Sequence, residues 1–220
     1  GNNPNAFVKA LENGGHKVTW LQTNDVAVNF PESMDALCQY DVVVLSDVGA
    51  DMLLLHPEMH SKAIPHPNRL KLLRDYVMQG GGVIMVGGWM SFSGIGGKGR
   101  YYDTPLEEAL PVTCCHYDDR QERPEGVRPD VIVKDHPIIK GVDSQWPYFL
   151  GYNRVVSKNG ATDILRFEKD PLLSIWEYGK GRSAAFTTDC APHWGPCVWL
   201  EWDGYDIFLN NLIRWVSKSL

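Results

Sequence analysis

The sequence predicts an α/β protein organised around a parallel, doubly wound sheet. Three observations carry that expectation. Val42-Val43-Val44-Leu45 and Val83-Ile84-Met85-Val86 are unbroken apolar runs with no polar alternation, the pattern of strands buried on both faces. Amphipathic helical patterns separate such runs, as in a βαβ chain. The 220 residues suffice for one large domain with a sizeable core.

The elements follow in order. Ala6 to Glu12 is helical and stops at Gly14-Gly15; Lys17 to Leu21 reads as a strand. Pro31 to Leu37 is a short helix, Asp41 to Ser46 a strand, Leu70 to Gln79 a helix ended by Gly80-Gly81-Gly82, and Val83 to Val86 a strand. A glycine-rich loop spans 87–103. Thr104 caps a short helix with Pro105 at its first position. Residues 117–130 are polar and loop-like. The segments 131–133, 154–158, 162–168 and 172–188 read as strands, with a hairpin at Tyr178-Gly179-Lys180-Gly181. Tyr205 to Lys218 closes the chain as a helix with Phe208, Leu209, Leu212 and Trp215 inward. A doubly wound sheet usually begins with a strand, whereas this sequence begins with a helix. The reading is therefore a single domain over 1–220 whose first core strand is absent from the chain as given.

Composition narrows the function. Twenty-seven acidic against twenty-one basic residues give a net charge of −6, which argues against nucleic acid as a partner. No apolar run reaches the roughly 18 to 20 residues of a membrane span, and the start lacks a signal-peptide pattern. Five cysteines at irregular spacing suggest no disulfide framework, so a cytoplasmic location is expected.

In open α/β sheets, ligands bind beyond the carboxyl ends of the parallel strands. Three loops leave such ends: Ser46-Asp47-Val48-Gly49-Ala50, Gly87-Gly88-Trp89-Met90-Ser91-Phe92-Ser93-Gly94, and Thr188-Asp189-Cys190-Ala191-Pro192-His193-Trp194-Gly195. If their strands are neighbours, Asp47, Gly88, Trp89, Ser91, Asp189 and His193 converge. Trp89, Phe92, Tyr101 and Trp194 are candidates to stack on a small polar ligand such as a sugar or anion; Asp47, Asp189 and Arg100 are candidates to orient it.

Other motifs are weaker. Gly94-Ile95-Gly96-Gly97-Lys98-Gly99 fits G-x-G-x-x-G, but it neither follows a strand directly nor opens a helix, so no nucleotide cofactor is expected. His56 and His60 stand four apart with His66 nearby, but Pro57 intervenes, and solvated histidines are the preferred reading over a metal. Cys114 and Cys115 are adjacent and point apart in a strand. Cys190, three residues from His193, is a weak candidate thiol nucleophile, and Cys197 has no assigned role.

The stretches Asp41 to Asp47, Gly80 to Gly94, Gly99 to Pro105, Asp135 to Gly141, Glu177 to Arg182 and Asp189 to Gly195 together resemble the glutamine amidotransferase-like proteins of the class I superfamily, near the trehalose-utilisation type. The resemblance covers nearly the whole chain. It implies a flavodoxin-like three-layer α/β/α fold with a mostly parallel central sheet, plus extra antiparallel strands in the C-terminal half. The family places a catalytic Cys in a Gly-x-Cys-x-Gly turn after a core strand and a His-x-Glu after a later one. Here the turn is Gly87-Gly88-Trp89-Met90-Ser91, and His193 is followed by Trp194-Gly195. Glutamine hydrolysis is therefore not expected. Three readings remain: a ligand-binding domain, a hydrolase using His193 as general base with Asp189, and a homo-oligomeric assembly module whose eight tryptophans serve core and subunit contacts.

Overall fold

A computed structural model describes residues 5–220 and confirms an α/β architecture. Helices α1 (Asn5–Asn13), α2 (Thr23–Asn29) and α3 (Met34–Leu37) precede strand β1 (Val42–Ser46). Helices α4 (Ala50–Leu54), α5 (Pro57–Lys62) and α6 (Arg69–Gln79) lead to β2 (Gly82–Val86). After the glycine-rich loop come α7 (Pro105–Ala109), β3 (Val112–Cys114), β4 (Arg120–Val127) and β5 (Asp130–Val131). Then follow β6 (Phe149–Asn153), β7 (Val155–Ser157), β8 (Thr162–Phe167), β9 (Asp170–Tyr178), β10 (Gly181–Phe186), α8 (Cys197–Leu200) and α9 (Gly204–Val216). Side chains start the helices as local chemistry dictates: Ser33 Oγ, Asn68 Oδ1 and Thr104 Oγ1 accept from the backbone N–H of Ala36, Lys71 and Glu107.

The central sheet runs β1-β2-β10-β9-β8-β5. β1 and β10 flank β2 in parallel, whereas β10-β9, β9-β8 and β8-β5 are antiparallel. The expectation of a mostly parallel sheet is thus corrected to a mixed one. The reason is local: Gly179, at φ 59°, turns β9 straight into β10, and Glu168, at φ 53°, turns β8 into β9, so half the sheet grows by hairpins. β2 serves two cores. Ile84 and Val86 pack with Phe186, Phe208 and Leu212, whereas Val83 and Met85 pack with Leu73, Val77 and Leu106. That explains its unbroken apolar run.

Two further expectations fail. Lys17 to Leu21 forms no strand. The polar stretch 117–130 contains β4, which pairs with β6, and β5, while β3 pairs with β7. Among the described residues, no helix is long and apolar enough to cross a membrane.

Gly87 shows how tightly the strand ends are drawn together. A Cβ there would lie 2.0 Å from the backbone oxygen of Thr187. Gly87→Ala is expected to lower stability by about 1–3 kcal/mol, read from the urea midpoint at unchanged m-value.

Candidate functional site

The parallel register aligns the ends of three strands, because Ser46 and Phe186 both pair with Val86. Asp47, Gly87 and Thr187 therefore leave the sheet side by side. Asp47 adopts a left-handed φ of 54°, which aims its side chain across the next loop. Its Oδ1 accepts from the Met90 N–H at 2.7 Å, while its own N–H donates to Ser91 Oγ at 3.1 Å. A Cβ on Gly88 would approach Asp47 Oδ1 to 2.8 Å, so glycine permits the loops to meet.

A buried polar network holds the same loop from behind. Gly88 N–H donates to Asn153 Oδ1 at 2.9 Å, and Asn153 Nδ2 donates to Gly88 O at 3.1 Å and to Asp119 Oδ1 at 2.8 Å. Asp119 also accepts from the N–H groups of Ser93 and Gly94, both at 2.9 Å. Burial pushes the Asp119 carboxyl up to about 6, against the opposing pull of these donors.

This frame presents Trp89, 42% exposed. The Arg120 guanidinium lies 5.0 Å from the Trp89 ring, within cation–π range, and the His193 ring meets it edge-on at 5.0 Å. Trp194 is buried, and its Nε1–H donates to Glu122 Oε2 at 2.9 Å. Beneath them Asp189 is fully buried, with Oδ1 accepting from the Ala191 N–H at 3.0 Å. Its Oδ2 is 3.9 Å from His193 Nδ1, longer than a hydrogen bond. Burial pushes the Asp189 carboxyl up to about 8, and the Asp47 charge adds to the rise. Burial also lowers the pKa of His193. At neutral pH the site therefore offers a carboxylic acid and a neutral imidazole, both able to donate or accept.

The structure thus gathers Asp47, Gly88, Trp89, Ser91, Asp189, His193 and Trp194. Tyr101 and Arg100 lie apart from this group. Tyr101 is buried and its hydroxyl donates to Val48 O at 2.6 Å. Arg100 holds Asp51 through bonds of 2.8 and 3.0 Å and lines a separate concavity of about 450 Å³ with Tyr102 and His116. Phe92 is buried in the core. Cys190 is buried and its pKa is raised by that burial, which keeps it a thiol. The sequence reading missed Asp119, Arg120, Glu122 and Asn153; its one usable signal was two adjacent carboxylates, Asp118-Asp119, within a short polar stretch.

Residues 2–218 match the family described as "Putative glutamine amidotransferase". No curated protein matches the chain. Among solved structures, the chain is similar to "Cytoplasmic Protein STM3548" from Salmonella typhimurium, at 38% identity and TM-score 0.94, covering 97% of this chain and 86% of that one. It is also similar to "Cytoplasmic Protein STM1381" from Salmonella typhimurium LT2, at 35% identity and TM-score 0.94, covering 98% and 88%. A "Putative thua-like protein" from Parabacteroides merdae shares the fold at 14% identity and TM-score 0.61, covering 97% and 84%.

Proposed function

The chain belongs to the family of putative glutamine amidotransferases, and from that premise we propose that it binds a small polar ligand of the sugar or anion class without acting as a glutaminase. The scaffold in this reading is the flavodoxin-like three-layer one, and the site is the C-terminal edge of β1, β2 and β10. The observation that carries the reading is Trp89. A large aromatic side chain stands 42% exposed on a loop whose backbone is fastened by Asp47, Asn153 and Asp119. A rigid aromatic platform flanked by Arg120 and His193 suits a ligand that stacks on one face and is hydrogen-bonded at its rim.

Several features support binding over glutamine hydrolysis. The turn after β2 carries no cysteine, Cys190 is a buried thiol, and Gly195 stands where the family's glutamate belongs. A general-base role for His193 would want an anionic carboxylate in hydrogen-bond contact, whereas Asp189 is protonated at neutral pH and 3.9 Å away. The cytoplasm is the compartment this reading assigns, supported by the names of the two Salmonella proteins and by five free cysteines.

A thermal-shift panel of sugars, phosphorylated sugars and small carboxylates tests the proposal. A ligand at about a hundred times its Kd adds about 2.7 kcal/mol, which raises Tm by roughly 5–10 °C for a domain of this size. Trp89→Ala should abolish that shift while leaving the unliganded Tm nearly unchanged. A panel with no stabilising member, or a shift that survives in Trp89→Ala, would overturn the reading.

A further inference from the structure

The two edges of the central sheet end differently. β5, at one edge, is two residues long, a common way of blunting an edge. β1, at the other, is Val42-Val43-Val44-Leu45-Ser46, with no charge, proline or bulge and in unbroken register with β2. Its composition is that of an interior strand, yet Val42, Val43 and Val44 are only half-buried, whereas all of β2 is buried. Nearby, Lys17 to Leu21 joins no ladder among the described residues. Val18 nevertheless packs, with Val42 and Val44, against the core shared by α1 and α9. Leu21 packs, with Val43, against the opposite core shared by α2 and α6. Side chains three residues apart that enter opposite cores mark a segment lying in the plane of the sheet.

The helices locate this segment relative to β1. Parallel crossovers are right-handed, so connections over one face of a sheet all step in one direction. α6 carries β1 to β2 over one core, and α2, over the same core, carries Lys17–Leu21 to β1. Lys17–Leu21 therefore sits on the far side of β1 from β2. α1 covers the opposite core, so a strand feeding α1 steps the opposite way and lies on the β1 side of Lys17–Leu21. β1, β2 and β10 are already adjacent, which leaves the gap between Lys17–Leu21 and β1.

We propose that this gap seats one further parallel strand, supplied by the segment of the same chain directly upstream of Gly1. The surroundings set its chemistry: a length matching the five residues of β1, apolar side chains on both faces, many of them β-branched, and no charge. Seated there, it hydrogen-bonds to β1 on one side and to Lys17–Leu21 on the other, making the latter a strand. Its carboxyl end then lies beside Asp47. The chain covers 86% and 88% of the two Salmonella proteins, so both carry further residues in which such a segment has room. The competing occupants are β1 of a second copy, paired edge to edge, and a strand from another protein.

NMR of the chain translated from the initiating codon of its reading frame tests the proposal. The residues upstream of Gly1 are expected to contain the apolar run, with backbone NOEs to both β1 and Lys17–Leu21. Hydrogen exchange gives a second readout. The β1 amides that face away from β2, and the amides of Lys17 to Leu21, should exchange about ten-fold or more slowly than in residues 1–220 alone. Replacing the two central residues of the run by Asp should restore the faster exchange. If residues 1–220 do not fold alone, the NOEs carry the test. A reading frame that adds no apolar run, NOEs to one flank only or to neither, or a dimer paired through β1 overturns the proposal.

Discussion

Asn153→Ala is expected to cost about 3–5 kcal/mol and to lower Tm by roughly 10 °C or more, the larger of two contrasting asparagine losses. Asn153 is fully buried and makes three bonds, two with the backbone of Gly88 and one with Asp119. Its removal strands the Gly88 N–H and C=O in a dry environment and takes a donor from a buried carboxylate. Asn211 makes two bonds, at 3.2 and 2.9 Å, to the carbonyls of Ile138 and Lys140, but at the partly exposed edge of α9. Water replaces those bonds, so Asn211→Ala should cost about 1 kcal/mol. Urea unfolding of both variants measures the contrast. Equal costs would mean that the network behind Trp89 contributes no more than a surface pair. The Asn153 variant should also lose the ligand-induced thermal shift, because the loop carrying Trp89 hangs from that side chain.

How much of this was legible differs between the two halves of the site. Asp47 and Trp89 follow strands whose apolar runs are unmistakable, Asp189 and His193 follow the weaker strand pattern that ends at Phe186, and the rule that ligands gather at parallel strand ends brings them together. The mixed half of the sheet did not disturb this, because β1, β2 and β10 remain parallel and in register. Asp119, Arg120 and Glu122 escaped because β4 reads Arg120-Gln121-Glu122-Arg123-Pro124-Glu125-Gly126-Val127, a string of charges with Pro and Gly. Its pairing with β6 is interrupted by an irregularity between Glu122 and Val127 and is set by tertiary contacts, not propensity. Lys17 to Leu21 errs the other way: its composition suits a strand, but no ladder forms there. Arg100 and Tyr101 show a third limit. Arg100 takes a left-handed φ of 59°, and that single reversal sends one residue to Asp51 and the next into the core.

Asp189→Asn is expected to stabilise the protein at alkaline pH while leaving it nearly unchanged at pH 4–5. The sign follows from proton binding. In the unfolded chain the carboxyl titrates near the ordinary 3.8, whereas in the folded protein burial holds its proton until about 8. Between those values the native state binds more protons than the unfolded one, so stability falls as pH rises through this window and levels off above it. Each unit of displacement corresponds to about 1.4 kcal/mol, so the accumulated loss amounts to a few kcal/mol. Asparagine keeps the Oδ1 acceptor for the Ala191 N–H, mimics the neutral acid, and presents no negative charge to Asp47. Asp119, raised to about 6, contributes a slope of the same sign that ends two pH units earlier and persists in the variant. Denaturant midpoints at pH 5 and pH 9 for parent and variant measure the difference. A variant that parallels the parent at both pH values would show that Asp189 is already ionised in the folded protein, and the neutral hydrogen-bonding site beneath Trp89 would fall with it.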